Sequence, residues 1–189
     1  MRSNRAWLRM SLLLPWLAAV SIPGAQIATG QEQENEKSGG IESVDPETLL
    51  PNGRHPLEGI VTGGQPSIDQ LRLASEKGFR TVINLRTPDE SPVGREAVEA
   101  AGMSYVSLPI AGAAALTEAR AKEFALVLEE AEGPLLVHCG AGNRVGALFA
   151  LKAYYVDEAT PEEALALGLD AGLTGLEAAV REHLGLTND

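Results

Sequence analysis

LLVHCGAGNRVG, Leu135 to Gly146, sets three apolar residues and a histidine directly before the chain's only cysteine, then two glycines and an arginine before the sequence turns apolar again. An apolar run of that length bounded by glycine reads as a buried strand, Leu135 to His138, and Arg144 to Tyr155 reads as the helix that follows it. Cys139 then stands at the carboxyl end of a strand and just ahead of a helix start. A helix N-terminus carries unpaired N–H groups and the positive end of the macrodipole, a field that favours a thiolate or a bound oxyanion. Gly140, Ala141 and Gly142 are small enough to let the backbone curl into a concave nest of N–H groups. Arg144 adds a planar fork suited to two oxygens of one tetrahedral anion, and His138 can hydrogen-bond the loop backbone and help hold the thiolate in place. Taken singly, a cysteine at a strand end is a small buried apolar side chain, a helix-opening arginine is solvated, and Gly-Ala-Gly is a turn. Their coincidence at one strand-to-helix junction favours a nucleophile with its own anion cradle.

Working outward, β-branched apolar runs alternate with helical stretches. Strands are expected at Gly59 to Thr62, Thr81 to Leu85 and Ser104 to Pro109, besides Leu135 to His138. Ser67 with Gln70 forms a capping box for a helix to about Lys77, ended by Gly78. Ser91 and Pro92 suggest a cap and first-turn proline for a helix to Ala101. Thr117 caps a longer helix to about Glu130, Thr160-Pro161-Glu162-Glu163 opens another, and the last runs from Thr174 to about Leu184 with Gly185 as its stop. Strands alternating with helices of this length predict an α/β fold, a mostly parallel sheet of four to five strands covered by helices on both faces. Ligands in such sheets bind beyond the carboxyl ends of the strands, which is where Cys139 falls.

The first thirty residues carry Arg2, Arg5 and Arg9 ahead of an apolar stretch from Ser11 to Ala25, with no acidic residue before Glu32. That charge order predicts a secretory signal over residues 1–30 and an exported, periplasmic or secreted, protein. The apolar stretch is interrupted by Pro15 and Pro23 and falls short of the roughly 20 residues a membrane span needs, so no stable span is expected after cleavage. Residues 31–43, opening QEQENEKSGG, have nothing to bury and read as a flexible acidic tether to one domain over 44–189. Losing three arginines and no acid with the signal takes the formal net charge from −11 to −14. Such a surface repels nucleic acid, although a local cationic pocket can survive in it. With one cysteine and three scattered histidines the chain makes a poor zinc set, and neither metal nor cofactor is expected.

The His-Cys pair followed by a glycine-containing loop and an arginine resembles the signature of the cysteine-dependent tyrosine and dual-specificity phosphatases. Together with VTGGQPSIDQL, Val61 to Leu71, and TVINLR, Thr81 to Arg86, it resembles the bacterial dual-specificity-phosphatase-like family that includes the phosphatase-like domain of beta-lactamase-hydrolase-like proteins, over about Leu57 to Tyr155. The resemblance implies a three-layer, cysteine-dependent-phosphatase-like fold, with Cys139 as nucleophile, Arg144 as oxyanion clamp and Gly140 to Asn143 lining the anion site. It implies hydrolysis of phosphomonoesters through a thiophosphoryl-cysteine intermediate, the partner being a small phosphorylated substrate or a phosphoprotein.

Three positions depart from that pattern. Four residues, not five, separate Cys139 from Arg144, a spacing the bacterial subgroup shares with many rhodanese-type sulfurtransferases. Val145 stands where the phosphatases carry a serine or threonine. The loop Ile110 to Leu116, where their general acid sits, reads IAGAAAL and holds no carboxylate. The nearest acids are Asp89, taken as the candidate general acid, and Glu90, both just past the second strand; Gln65, Arg86 and Glu90 are the candidate substrate contacts on that rim. Two other readings stay open: sulfur transfer from a sulfur donor through a Cys139 persulfide, and an oxyanion-binding module with weak catalysis.

Overall fold

The computed structural model describes residues 44–90 and 94–187. Those residues belong to one compact unit. Residues 1–43, with the signal and tether readings, and Ser91 and Pro92 lie outside the described residues.

Five strands form one sheet: β1 Arg54–Leu57, β2 Ile60–Gly63, β3 Thr81–Asn84, β4 Ser104–Ser107 and β5 Leu135–His138, in the order β1-β2-β5-β3-β4. β1 pairs antiparallel with β2, and every other pairing is parallel. The helices are α1 Pro46–Leu49, α2 Ile68–Glu76, α3 Arg95–Ala100, α4 Glu118–Glu130, α5 Asn143–Tyr155, α6 Pro161–Asp170 and α7 Glu177–Leu184, with one 3₁₀ turn at Ala113–Ala115. Among the described residues no helix is long and apolar enough to cross a membrane.

The run Leu135–His138 becomes the central strand because both of its faces are covered. Val137 joins the core formed with Ile83, Phe124 and Phe149, whereas Leu136 joins a second core with Val61, Leu71, Val82 and Val98. A strand buried on both sides needs continuous rather than alternating hydrophobicity, and each such Leu or Val contributes roughly 1.5–3 kcal/mol by leaving water. On the first face the Phe124 and Phe149 rings meet edge to face at 5.1 Å, locking α4 onto α5.

α5 is buried along most of its length and lies unusually near α6. Gly146 and Gly168 make this possible. A Cβ on Gly146 would fall 2.1 Å from the Leu173 nitrogen and 2.5 Å from the Gly168 carbonyl oxygen, and one on Gly168 would fall 2.7 Å from Ala150 Cβ.

The capping predictions at Ser67, Thr117 and Thr160 match the structure, the first and last as full capping boxes. Three expectations are corrected. The helix expected to run to Ala101 begins, among the described residues, at Arg95, with Gly94 at the N-cap and no side-chain cap bond. β1, which holds His55 and Pro56, adds a strand to those expected, at the sheet edge where proline's missing N–H costs nothing. β4 stops at Ser107, after which Leu108 and Ile110 still donate back to Asn84 and Leu85 across the rim.

Candidate active site

Gly63, Asn84 and His138 stand level in the registers of β2, β3 and β5, so three strand ends share one edge with β5 at its centre. The chain leaving His138 is held from both sides. Cys139 donates its N–H to the Gly63 oxygen at 3.2 Å, and Leu85 donates to the His138 oxygen at 2.9 Å. The paired glycines of VTGGQ are there for close approach. A Cβ on Gly63 would meet Leu50 Cβ at 2.7 Å, and one on Gly64 would meet the Gly140 oxygen at 2.9 Å. Gly64 forms an antiparallel bridge with Ala141, fixing the far side of the loop.

Cys139 is 1 % exposed and lies at the floor of this loop. Gly142 takes a φ of 96°, the left-handed region that glycine tolerates, and the turn points its N–H at Cys139 Sγ, 3.2 Å away. α5 starts at once, without a side-chain cap, and the Gly146 N–H is the first to reach back, to the Gly142 oxygen at 3.0 Å. The N–H groups of the preceding turn thus stand at the positive end of the helix, next to the thiol. Val145, buried in the core, brings no hydroxyl to the loop.

His138 is buried. Its Nδ1 faces the Cys139 carbonyl oxygen at 3.4 Å, a long contact that fits the expected bracing of the loop backbone. Burial, and to a lesser extent the nearby Arg86 cation, push its pKa down to about 4, so at neutral pH it is an uncharged brace.

Arg144 makes the most specific contacts. Its Nη1 donates to Glu90 Oε2 at 2.8 Å and its Nη2 to Glu90 Oε1 at 3.0 Å, while Nη1 also donates to the Ile110 carbonyl at 2.8 Å. Glu90 Oε2 further accepts the Thr87 N–H at 2.9 Å and the Thr87 hydroxyl at 3.0 Å, which folds the RTPDE turn over the arginine. These contacts use both Nη1 hydrogens and one on Nη2. The Nε–H and the second Nη2–H remain, the parallel edge of the fork, and a Cβ on Gly140 would be 3.6 Å from Nη2. The guanidinium also reaches the Cys139 side chain, which adds to the Glu90 bond in pushing the Arg144 pKa up.

Glu90 therefore differs from its sequence reading as a rim contact or acid. The Arg144 hydrogen bonds, then the Thr87 N–H, hold its carboxyl down at about 2, so it carries no proton to give at neutral pH. Asp89, the candidate general acid, is exposed in the same turn and forms no hydrogen bond among the described residues. Asn143 is corrected in part. Its Oδ1 accepts the N–H groups of Thr174 at 2.9 Å and Leu176 at 3.1 Å, so the side chain ties α5 to the turn before α7, and only its backbone can face an anion. Gln65 and Arg86 come together at the rim, Arg86 Nη1 donating to Gln65 Oε1 at 3.2 Å. Sequence reasoning missed the Ile110 carbonyl, a backbone acceptor in the segment searched for carboxylates.

The depressed Glu90 carboxyl stabilises the pairing fully above its unfolded value of 4.5, and that contribution is lost as pH falls toward about 2. The Glu90 side chain is 38 % exposed, so solvent screening leaves the pair a small part in folding and a mainly geometric role. Glu90→Gln is expected to lower kcat/KM for an aryl phosphate about tenfold by releasing the arginine. Its unfolding temperature should converge on that of the wild type between pH 4.5 and about 2; a constant gap across that window contradicts the pairing.

Residues 54–178 match the PTP-NADK family, described as a DSP-PTPase phosphatase fused to NAD+ kinase. The Beta-lactamase hydrolase-like protein of Xylella fastidiosa (strain Temecula1) is 34% identical over 117 residues, covering 59% of this chain and 27% of that protein. That of Agrobacterium fabrum (strain C58) is 36% identical over 100 residues, covering 50% of this chain and 23% of its own. The chain thus spans about a quarter of these curated relatives. Among solved structures, a phosphatase candidate from Neisseria meningitidis z2491 superposes with a TM-score of 0.58 at 17% identity, covering 68% of this chain and 96% of that one. Tk-PTP in its active form gives 0.55 at 20% identity, covering 71% and 96%. At these identities the likeness is one of fold.

Proposed function

We propose, from the premise that this chain belongs to the PTP-NADK family of DSP-PTPase-type phosphatases, that it hydrolyses phosphomonoesters through a thiophosphoryl intermediate on Cys139. The observation that carries the reading is the loop itself. A thiol accepts a hydrogen bond from Gly142 inside a helix-opening turn, beside an arginine whose outer edge is locked and whose inner edge lies by Gly140.

In this reading the Cys139 thiolate attacks phosphorus in line, and the sulfur–phosphorus bond forms as the bond to the alcohol oxygen breaks. The α5 N–H groups and the Nε/Nη2 edge of Arg144 stabilise the equatorial oxygens. Water then cleaves the thiophosphoryl group, returning the thiolate and releasing phosphate. Glu90 is ionised and committed to Arg144, so the departing oxygen receives no help from it, and alcohols of low pKa leave best. Aryl phosphates fit that requirement.

The test is a donor panel on the wild type: aryl phosphate, phosphopeptide, nucleotide and thiosulfate. Vanadate-sensitive release of phosphate from the aryl ester, with no rhodanese activity, is the expected result. Turnover of thiosulfate with a stable gain of one sulfur on Cys139 would replace this reading by sulfur transfer, and tight oxyanion binding without turnover of any donor would replace it by a binding module.

A further inference from the structure

We infer that Arg86, rather than Arg144, supplies the net positive charge of the Cys139 site, and so makes it select phosphomonoester dianions over singly charged sulfate esters and phosphodiesters. The inference rests on the proposed function and adds to it the residue that sets its charge selectivity.

Two guanidinium groups border the loop, and their charges are balanced differently. Arg144 is paired bidentately with the Glu90 carboxylate, so its charge is cancelled a few ångströms from the nest, and what it offers an anion is directional N–H bonds. Arg86 forms no ion pair among the described residues; the side chain it donates to is the neutral Gln65. His138 adds no charge, because burial keeps it neutral at physiological pH.

Arg86 is also placed to act on whatever occupies the nest. The Leu85 N–H on the His138 oxygen brings the end of β3 beside the Cys139 peptide, and from the other side Gln65 donates its N–H to the Gly140 oxygen at 3.4 Å. The Arg86–Gln65 contact accordingly runs from the end of β3 to the end of β2 across the carboxyl end of β5, the strand that delivers the thiol. The residue's backbone is fixed in turn. Its N–H donates to Asn84 Oδ1 at 2.8 Å, and Asn84 Nδ2 donates to the Tyr105 hydroxyl at 2.9 Å.

Gln65 holds only the Nη1 end of this arginine; its Nε is buried without a hydrogen-bond partner among the described residues. A cation left uncompensated in an acidic chain, at the rim of an anion nest, is accounted for by a ligand that carries more charge than the nest's neutral donors balance.

Coulomb energy scales with ligand charge, which makes the inference testable with two tetrahedral anions of similar size. Tungstate carries two charges and perrhenate one. In the Cys139→Ser protein, calorimetry should find tungstate bound at least tenfold more tightly than perrhenate. Adding Arg86→Gln should weaken tungstate on the order of tenfold and perrhenate only about threefold, the square root of that loss, while Arg86→Lys should stay near the Arg86 protein for both. Equal losses for the two anions, no loss for either, or a lysine variant as impaired as glutamine overturns the inference. Should Arg86→Gln fail to fold, Arg86→Met, which keeps the aliphatic stem and removes the charge, takes its place, and an unchanged ratio of tungstate to perrhenate affinity in it overturns the inference. Aryl phosphate hydrolysis by the wild type alongside equal affinity for both anions would sink this inference and leave the phosphatase reading standing; neither hydrolysis nor binding of either anion would remove both.

Discussion

Cys139→Ser is expected to remove aryl phosphate hydrolysis, lowering kcat/KM by about a thousandfold or more, while shifting the unfolding temperature by only a few degrees. The hydroxyl can take over the bond that Sγ accepts from the Gly142 N–H, so the turn keeps its form. It cannot take over the chemistry, because an alcohol stays protonated at neutral pH and the described residues around it offer no free base: His138 Nδ1 faces the Cys139 carbonyl, and Glu90 is committed to Arg144. Initial rates on a nitrophenyl ester, read beside thermal unfolding, check both halves. A variant that keeps more than about a tenth of the wild-type rate would show that the thiol is not the nucleophile.

Gly146→Ala is expected to cost about 3 kcal/mol of stability and to lower the unfolding temperature on the order of 10 °C. Alanine in mid-helix normally gains up to about 1 kcal/mol over glycine, so the sign here is set by contact and not by propensity. The added methyl would lie 2.1 Å from the Leu173 nitrogen and 2.5 Å from the Gly168 oxygen, both backbone atoms that no rotamer change can move aside. α6 and the turn after it must shift, and that turn carries the Thr174 and Leu176 N–H groups that hold Asn143. Activity should therefore fall in the variant even below its unfolding temperature. Gly140→Ala is the control, because its methyl meets Arg144 Nη2 at an ordinary 3.6 Å. If Gly146→Ala unfolds within a degree or two of wild type, the close approach of α5 and α6 is not as described.

The central strand, the loop after it and α5 could be read from sequence because their causes are local. A doubly buried strand must be apolar throughout, a tight turn needs glycine, and the lone cysteine marks the junction. β1 escaped because Arg54 to Leu57 is short, largely exposed and contains Pro56, so it has neither alternation nor a continuous apolar run. α3 opens at Arg95 behind Gly94 without a side-chain cap, and what ties it to the fold is Val98 in the second core, a contact that no local start signal records. The partners of Arg144 were hidden for another reason. Glu90 lies 54 positions away and Ile110 contributes only a carbonyl, and neither distance nor backbone chemistry leaves a trace in local spacing.

Placing β5 between β2 and β3 also orders events in time. Leu135 meets both Ile60 and Thr81, so the central strand can be inserted only after most of the chain has been made and two long loops have closed. The thiol, its flanking glycines, Asn143 and Arg144 arrive together behind β5 and then meet Gly63, Glu90 and the Thr174–Leu176 turn, which come from three other segments. Recovery of catalysis on refolding should trail the return of helical signal, and a nascent chain should carry no reactive cradle before its final hundred or so residues have docked.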